Sequence, residues 1–127
     1  SFIGEPPMNL LKATTDGKSL TINDSNFKCQ LSDVYSQNEK LNGNLIFGFR
    51  PEAIKPEATN DCIEVEAIVE LTEMLGDTSN CYAKLGDNNI ILKMDSHCLV
   101  KIGSTIKFYI AKEDIYLFDE NGKALRK

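Results

Sequence analysis

The sequence predicts a mostly all-β domain, an antiparallel barrel or sandwich. The clearest observation is a long stretch in which apolar and polar residues alternate with period two. In addition, about eight short segments with strand-like composition follow one another at close spacing. Helical signal is sparse, and the 127 residues, 42% of them hydrophobic, are enough to bury a core without disulfide bonds.

The first half of the chain holds three predicted strands and one connection of a different kind. "SLTI", "FKCQL" and "LIFGF" have strand-like composition. The polar segment "SDVYSQNEKLNG" offers Ser32 or Asp33 as an N-cap and Gly43 as a stop, which predicts one short helix or a turn-rich connection. Since Arg50 precedes Pro51, it should leave the α region and end the third strand, with a single helical turn at residues 52–54.

The second half is predicted to consist of five further strands. The alternating stretch "CIEVEAIVEL" should turn one face to the core and expose Glu64, Glu66 and Glu70. The strands "SNCYAKL" and "NIILKM" should form a hairpin around "GDNN", and "STIKFYI" should lead through the charged turn "AKED" to "IYLF". The residues expected to point inward are Ile63, Val65, Ala67, Val69, Leu71, Cys81, Ala83, Leu85, Ile106, Phe108 and Ile110.

Charge and cysteine content exclude several classes of function. The net charge of −5 disfavours nucleic acid and anionic membrane surfaces as partners. Cysteines stand at positions 29, 62, 81 and 98, at least seventeen residues apart, and the single histidine is His97. Because structural zinc ligands usually come in close pairs, we expect reduced thiols packed as small hydrophobes and no metal site.

The sequence also contains none of the common catalytic motifs. The Gly-rich phosphate loops, the Gly-x-Ser-x-Gly elbow and the His-Glu-x-x-His pair are missing. His97 and Cys98 are adjacent, so on a strand they would point to opposite faces and could not readily act as base and nucleophile. These observations favour a binding or assembly module over an enzyme.

Four separated motifs together resemble one protein family. They are "FIGEPPMNLL" at 2–11, "GFRPEAI" at 48–54, "VELTEMLG" at 69–76 and "YLFDENGKAL" at 116–125. In this order they resemble the C-terminal regulatory domain of the ATP-binding subunit of bacterial ABC sugar importers of the maltose and glycerol-3-phosphate type. The resemblance implies an OB-fold-like antiparallel β-barrel of the MOP-like or TOBE type, with one or two short helices. It also implies that residues 1–127 form a single regulatory and dimerisation domain, with residues 1–8 as the junction from an N-terminal ATPase domain.

The same resemblance implies partners and a location. The chain would form a homodimer, stay attached to its own ATPase domain, contact the membrane permease subunits indirectly and receive a regulatory protein, at the cytoplasmic face of the cell membrane. ATP and Mg would bind in the preceding ATPase domain, so no cofactor and no ATP hydrolysis are expected in this chain. The alternative is a MOP-like barrel that senses a small ligand or an oxyanion directly.

Site residues follow from matching the motifs position by position. The Gly-x-Arg-Pro-Glu loop matches Gly48, Arg50, Pro51 and Glu52, and an exposed apolar patch is expected around Phe49 or Phe118. Arg50 offers a five-donor fork for a partner, or else it and Glu52 only hold the loop.

The two remaining motifs have similar alternatives. The Glu-x-Leu-Gly element matches Glu73 and Gly76, where Glu73 is a partner contact or a turn residue and Gly76 should supply a positive φ. The final motif matches Phe118 and Asp119, and Phe118 is a candidate dimer-face aromatic or a core residue.

Overall fold

The computed structural model describes residues 7–96 and 100–126. Within them the chain forms eleven strands in two antiparallel sheets and three single-turn 3-10 helices. The strands are β1 (Asn9–Thr15), β2 (Ser19–Ile22), β3 (Lys28–Gln30), β4 (Gly43–Phe49), β5 (Ile54–Lys55), β6 (Cys62–Leu75), β7 (Thr78–Leu85), β8 (Asn88–Asp95), β9 (Thr105–Ala111), β10 (Tyr116–Asp119) and β11 (Ala124–Arg126). The 3-10 helices are Leu31–Asp33, Pro51–Ala53 and Lys112–Asp114. The first six residues of the expected junction, with His97 and Cys98, lie outside the described residues.

The first sheet has the strand order β11-β10-β4-β1-β2-β3. Its centre is the antiparallel pair β1 and β4, which runs in unbroken register from Asn9 opposite Phe49 to Thr15 opposite Gly43. β10 pairs with the other edge of β4, so β1, β4 and β10 lie side by side. Along β1 every second residue is buried, as expected for a strand with one face in the core.

The second sheet has the order β5-β9-β6-β7-β8, and its central strand β6 confirms the predicted alternation as far as Val69. The expectation that Leu71 points inward is wrong, because its side chain is 54% exposed. A β-bulge causes the difference: Val69 lies opposite Ala83 but Leu71 lies opposite Tyr82, so Glu70 is an extra residue on β6. One inserted residue turns every side chain that follows it on the strand to the opposite side of the sheet.

The two antiparallel sheets confirm the all-β prediction. Both contribute side chains to one hydrophobic cluster. Three phenylalanines bridge them: the Phe47 and Phe49 rings of β4 lie 6.4 Å apart, and Phe49 lies 6.2 Å from Phe108 of β9. The predicted helix in 32–43 shrinks to the turn Leu31–Asp33. The turn expected at 52–54 begins one residue earlier, at Pro51, because proline suits the first helical position.

Two polar contacts fix the sheets against each other. The buried Asn9 side chain of β1 donates to the Ile91 carbonyl of β8 over 2.9 Å and accepts from the Ile91 N–H over 2.8 Å. At the other contact, the turn Gly86-Asp87 packs on the turn between β2 and β3, where the Asp87 N–H donates to the Asp24 carbonyl over 2.8 Å. Among the described residues, no helix is long and apolar enough to cross a membrane.

Candidate functional site

The candidate site begins on the solvent side of β1, β4 and β10. Paired residues on neighbouring strands face the same side of a sheet. One such row contains Leu10, Gly48 and Tyr116, and the next contains Lys12, Ile46 and Phe118. We call these six residues, with Met8 and Arg50, the outer face. Its centre is apolar, and Leu10 is 59% exposed.

Gly48 allows the outer face to close tightly. A Cβ atom at this position would lie 2.9 Å from the Met8 sulfur and 3.2 Å from both Leu10 Cδ2 and Phe118 Cε2. The contact with sulfur is closer than real Cβ atoms show and the other two are tighter than most, so the missing side chain makes room for three apolar ones to converge. Close packing of these three side chains therefore explains why the Gly-x-Arg-Pro-Glu motif has a glycine at this position.

An aromatic pair and a cation form one end of the outer face. The Tyr116 and Phe118 rings are parallel within 6°, with centroids 6.3 Å apart. The Arg50 guanidinium carbon lies 5.7 Å from the Tyr116 centroid, a cation–π distance. The Arg50 backbone is extended at φ −81° and ψ 145°, as expected for a residue before proline, and its side chain is exposed. The charge is therefore held at the surface beside the apolar centre.

Phe49 does not belong to this surface. The expectation of an exposed patch around Phe49 is wrong, because the residue is 1% exposed and alternates inward with Leu45 and Phe47. Phe118 lies on the opposite side of its strand from the fully buried Leu117, and its ring is half-buried on the outer face. A dimer role for Phe118 stays a prediction.

The other predicted site residues are dispersed. Glu52 is exposed on the 3-10 helix after β4. The Asp119 carboxylate accepts hydrogen bonds from the N–H groups of Asn121 and Lys123, each over 2.9 Å, so it shapes the turn before β11. Gly76 has φ +84° in the turn between β6 and β7, as expected. Glu73 accepts from the Tyr82 hydroxyl over 3.2 Å across the same hairpin.

Sequence reasoning missed a second exposed apolar surface, at the end of the β6–β7 hairpin. Leu71 and Leu75 are 54% and 51% exposed. The pairing of β6 with β7 places them on the same side of the hairpin as Glu73 and Tyr82, and we call these four residues the arm. The bulge at Glu70 creates the arm by turning Leu71 outward, and a single sequence carries little signal for a bulge.

A groove of about 440 Å³ connects the outer face to the arm. Met8 and Leu10 of the outer face line it together with Tyr82 of the arm and with Glu70. The two surfaces are therefore parts of one larger surface that crosses from the first sheet to the second. Among residues 7–96 and 100–126, no three His, Cys, Asp or Glu side chains are grouped to hold a metal ion.

Two family models match the sequence. The MalK OB fold domain matches residues 4–54, and the TOBE domain matches residues 47–118. The second match covers more than half of the chain, and it includes β6, β7 and four of the eight outer-face residues.

Several curated proteins are similar over nearly the whole chain. The sn-glycerol-3-phosphate import ATP-binding protein UgpC of Psychromonas ingrahamii is 33% identical over 127 residues, covering 94% of this chain and 32% of that protein. The alpha-glucoside transport ATP-binding protein AglK of Rhizobium meliloti is 31% identical over 129 residues, covering 98% and 35%. The chain thus spans about a third of the length of the curated relatives it matches.

Among solved structures, the cytoplasmic molybdate-binding protein ModG, determined with molybdate bound, is similar with a TM-score of 0.67. The match covers 87% of this chain and 95% of that one at 10% sequence identity. It agrees with the OB-like, MOP-like architecture.

Proposed function

This chain belongs to the TOBE domain family, and from that membership we propose that it is the C-terminal regulatory and dimerisation region of the ATP-binding subunit of an ABC importer for sugars or related solutes. Relatives that are similar over almost the whole chain are named as import or transport ATP-binding proteins. The proposed ATP and Mg sites lie in a preceding ATPase domain. Through that domain the subunit contacts the permease subunits, at the cytoplasmic face of the membrane.

The outer face is the observation that supports a dimerisation role. It presents Leu10, Ile46 and a Tyr116–Phe118 aromatic pair on three neighbouring strands of the first sheet, with Arg50 at its edge. Leu10 is exposed, whereas Ile46, Tyr116 and Phe118 are half-buried. Aromatic and aliphatic side chains that are at least partly exposed, together with arginine, are typical of protein interfaces. A second copy of the chain is the partner we propose.

A weak dimer contact of this kind would act as a tether. When two ATPase domains separate after hydrolysis, a contact between their regulatory regions keeps each at high effective concentration for the other. Re-closure then stays fast without a strong interface. The arrangement also leaves exposed loops, such as the one carrying Glu52, for a regulatory protein.

The observations favour this role over direct sensing of an oxyanion. The similarity to ModG supports the fold alone, at 10% identity. The outer face carries apolar and aromatic side chains at its centre, which suit a protein partner better than a small anion.

The first test is the coding sequence upstream of Ser1. We expect a phosphate loop and a Leu-Ser-Gly-Gly-Gln signature there, and their absence would contradict the proposal. The isolated chain should not hydrolyse ATP, so turnover by a clean preparation would also count against it.

The second test is self-association of the 127-residue chain, followed by sedimentation equilibrium up to about millimolar concentration, the weak end of specific affinities. We expect a weak dimer, which Phe118→Ser should dissociate. Tyr109→Ser is the matched control, because Tyr109 is a half-buried aromatic on β9 of the other sheet. A wild-type chain that stays monomeric would refute dimerisation through this region.

A further inference from the structure

A cavity of about 930 Å³ lies where the turn between β1 and β2 faces the segment between β3 and β4. Residues 16–19 of the turn form one wall, and residues 30–32, 35 and 37–42 of the connecting segment form the other. We call this cavity the loop cleft. Its volume is within the range of about 300–1,000 Å³ that is typical of sites for small molecules. Its lining shares no residue with the outer face or the arm.

The buried part of the lining is apolar. Leu31, Tyr35 and Leu41 line the cleft, and all three are buried members of the hydrophobic cluster. Tyr35 and Leu41 thereby fix both ends of segment 36–40, whose five residues are all exposed. A cleft of this kind has an apolar floor that the core holds in place, below a rim that reaches into water.

The Tyr35 hydroxyl is free to bind a ligand in the cleft. The residue as a whole is only 8% exposed, and within the described ranges no protein group forms a hydrogen bond with its hydroxyl. Burial, and after it the charge of Glu39, raises the pKa of this hydroxyl, so Glu39 lies near it and the group stays protonated at neutral pH. A protonated hydroxyl can both donate and accept a hydrogen bond, whereas a carboxylate only accepts.

Carboxamide side chains lie around the opening of the cleft. Gln37, Asn38 and Asn42 are exposed there, and none of their side chains forms a hydrogen bond with another residue of the described part of the chain. Each carboxamide offers two donors and one acceptor. Sugar hydroxyls also donate and accept, so these groups match a polyhydroxylated ligand.

The charges that line the cleft are balanced. Lys18 and Lys40 are matched by Asp16 and Glu39. The Asp16 carboxylate also accepts hydrogen bonds from the N–H groups of Lys18 and Ser19, over 2.9 and 2.7 Å, so it already holds the turn. Two cations and two anions give no net charge that would attract an ion. The lining therefore favours a neutral ligand over a phosphate or another anion.

We propose that the loop cleft binds a neutral sugar of one or two rings, with its C–H faces on Leu31, Tyr35 and Leu41 and its hydroxyls bound by the carboxamides of segment 37–42. Small-molecule sites commonly combine an apolar lining with a few polar groups that fix orientation. This inference goes beyond the proposed function, because the cleft needs no second copy of the chain. Since the rim side chains are exposed and must be ordered by the ligand, the dissociation constant should be about millimolar.

The experiment is a titration of the ¹⁵N-labelled 127-residue chain with maltose, glucose and sucrose, followed by nuclear magnetic resonance. We expect at least one of these sugars to cause saturable shifts with a dissociation constant of about 1–10 mM. The shifts should be concentrated in residues 16–19 and 35–42. They should include the side-chain NH₂ signals of Gln37, Asn38 and Asn42, which report on the carboxamides directly.

Two substitutions test the assignment to the cleft. Tyr35→Phe keeps the buried ring and removes only the hydroxyl, and Asn38→Ala changes an exposed side chain. Each should raise the dissociation constant about two- to tenfold, because each removes one hydrogen bond between neutral groups.

The matched controls are Tyr109→Phe and Asn121→Ala, which should leave binding unchanged. Tyr109 is half-buried on β9 of the second sheet, and Asn121 is exposed in the turn before β11, at the other edge of the first sheet from β3. Thermal unfolding of every variant checks that the fold is kept.

Three results would overturn the inference. The first is that none of the three sugars causes saturable shifts up to about 100 mM, well above the expected dissociation constant. The second is that sn-glycerol-3-phosphate shifts the cleft signals while the neutral sugars do not. The third is that Tyr35→Phe and Asn38→Ala both bind like the wild type.

Dimerisation is judged separately. A monomeric chain that binds maltose would support the cleft and contradict the proposed dimer, and a dimer that binds no sugar would do the reverse.

Discussion

Replacing Gly86 by alanine should destabilise the protein strongly, because this glycine lies where the two sheets meet. Gly86 has φ +62°, in the left-handed region. A Cβ atom there would overlap the Asp24 carbonyl oxygen and lie 2.5 Å from Ser25 Cα, both of them backbone atoms of the facing turn. Neither can rotate away as a flexible side chain would, so one turn must move.

The cost has three parts. The left-handed conformation costs an alanine about 1–2 kcal/mol. Forcing the two turns apart resembles overpacking a core, at about 1–3 kcal/mol. Separation also weakens the hydrogen bond from the Asp87 N–H to the Asp24 carbonyl, worth about 1 kcal/mol net. We therefore expect a loss of about 3–6 kcal/mol, while a chain of this length has a stability of about 6–19 kcal/mol.

Gly76 provides a matched control in the neighbouring hairpin. It has φ +84°, but a Cβ atom there would meet nothing within 4 Å. Gly76→Ala should therefore cost only the conformational part, about 1–2 kcal/mol. Urea denaturation of both variants and the wild type, followed by circular dichroism, gives the comparison. Equal losses for the two substitutions would refute the steric argument and show that Gly86 matters for its φ angle alone.

Two further predictions concern ionisable groups. Burial, reinforced by the nearby Asp33 charge, raises the pKa of the Cys29 thiol to about 11 from 9.0, so its thiolate fraction at pH 8 falls roughly hundredfold. Iodoacetamide labelling with peptide mass spectrometry should therefore find Cys29 protected in the folded chain and reactive in urea. Fast labelling of the native chain would contradict this. Hydrogen bonds from the Ser19 and Lys18 N–H groups lower the pKa of Asp16 below 3.8. The ionised carboxylate therefore stabilises the fold above pH 3.8, and this contribution disappears as the pH falls through the lowered pKa. Asp16→Ala should therefore be less stable than wild type at pH 7 and equally stable at low pH, and a difference independent of pH would contradict the assignment.

Local pattern was sufficient for the long strands and insufficient for the short ones. β6 and β7 were predictable because one face of each is buried and the side chains alternate. β5 and β11, of two and three residues, carry no such pattern and form because a neighbouring strand offers an edge. β1 was not among the predicted strands, because the polar residues Asn9 and Thr15 occupy buried positions and break the apolar alternation.

The same division applies to the site. The motifs identified Arg50 and Phe118, which the structure brings to one surface, and Gly76, whose positive φ is confirmed. They gave no indication that Phe49 is buried or that Leu71 is exposed. Both depend on which side of a strand a residue occupies, and a single inserted residue reverses that side.

By itself, the sequence determined the all-β class, the family and the positions of most turns, because alternation, proline and glycine act over a few neighbouring residues. The tertiary structure alone decided which side chains share a surface. Leu10, Gly48 and Phe118 are far apart along the chain, and they meet only because β1 and β10 pair with opposite edges of β4. Strand order and register set that meeting, and both depend on how two whole sheets fill a common core.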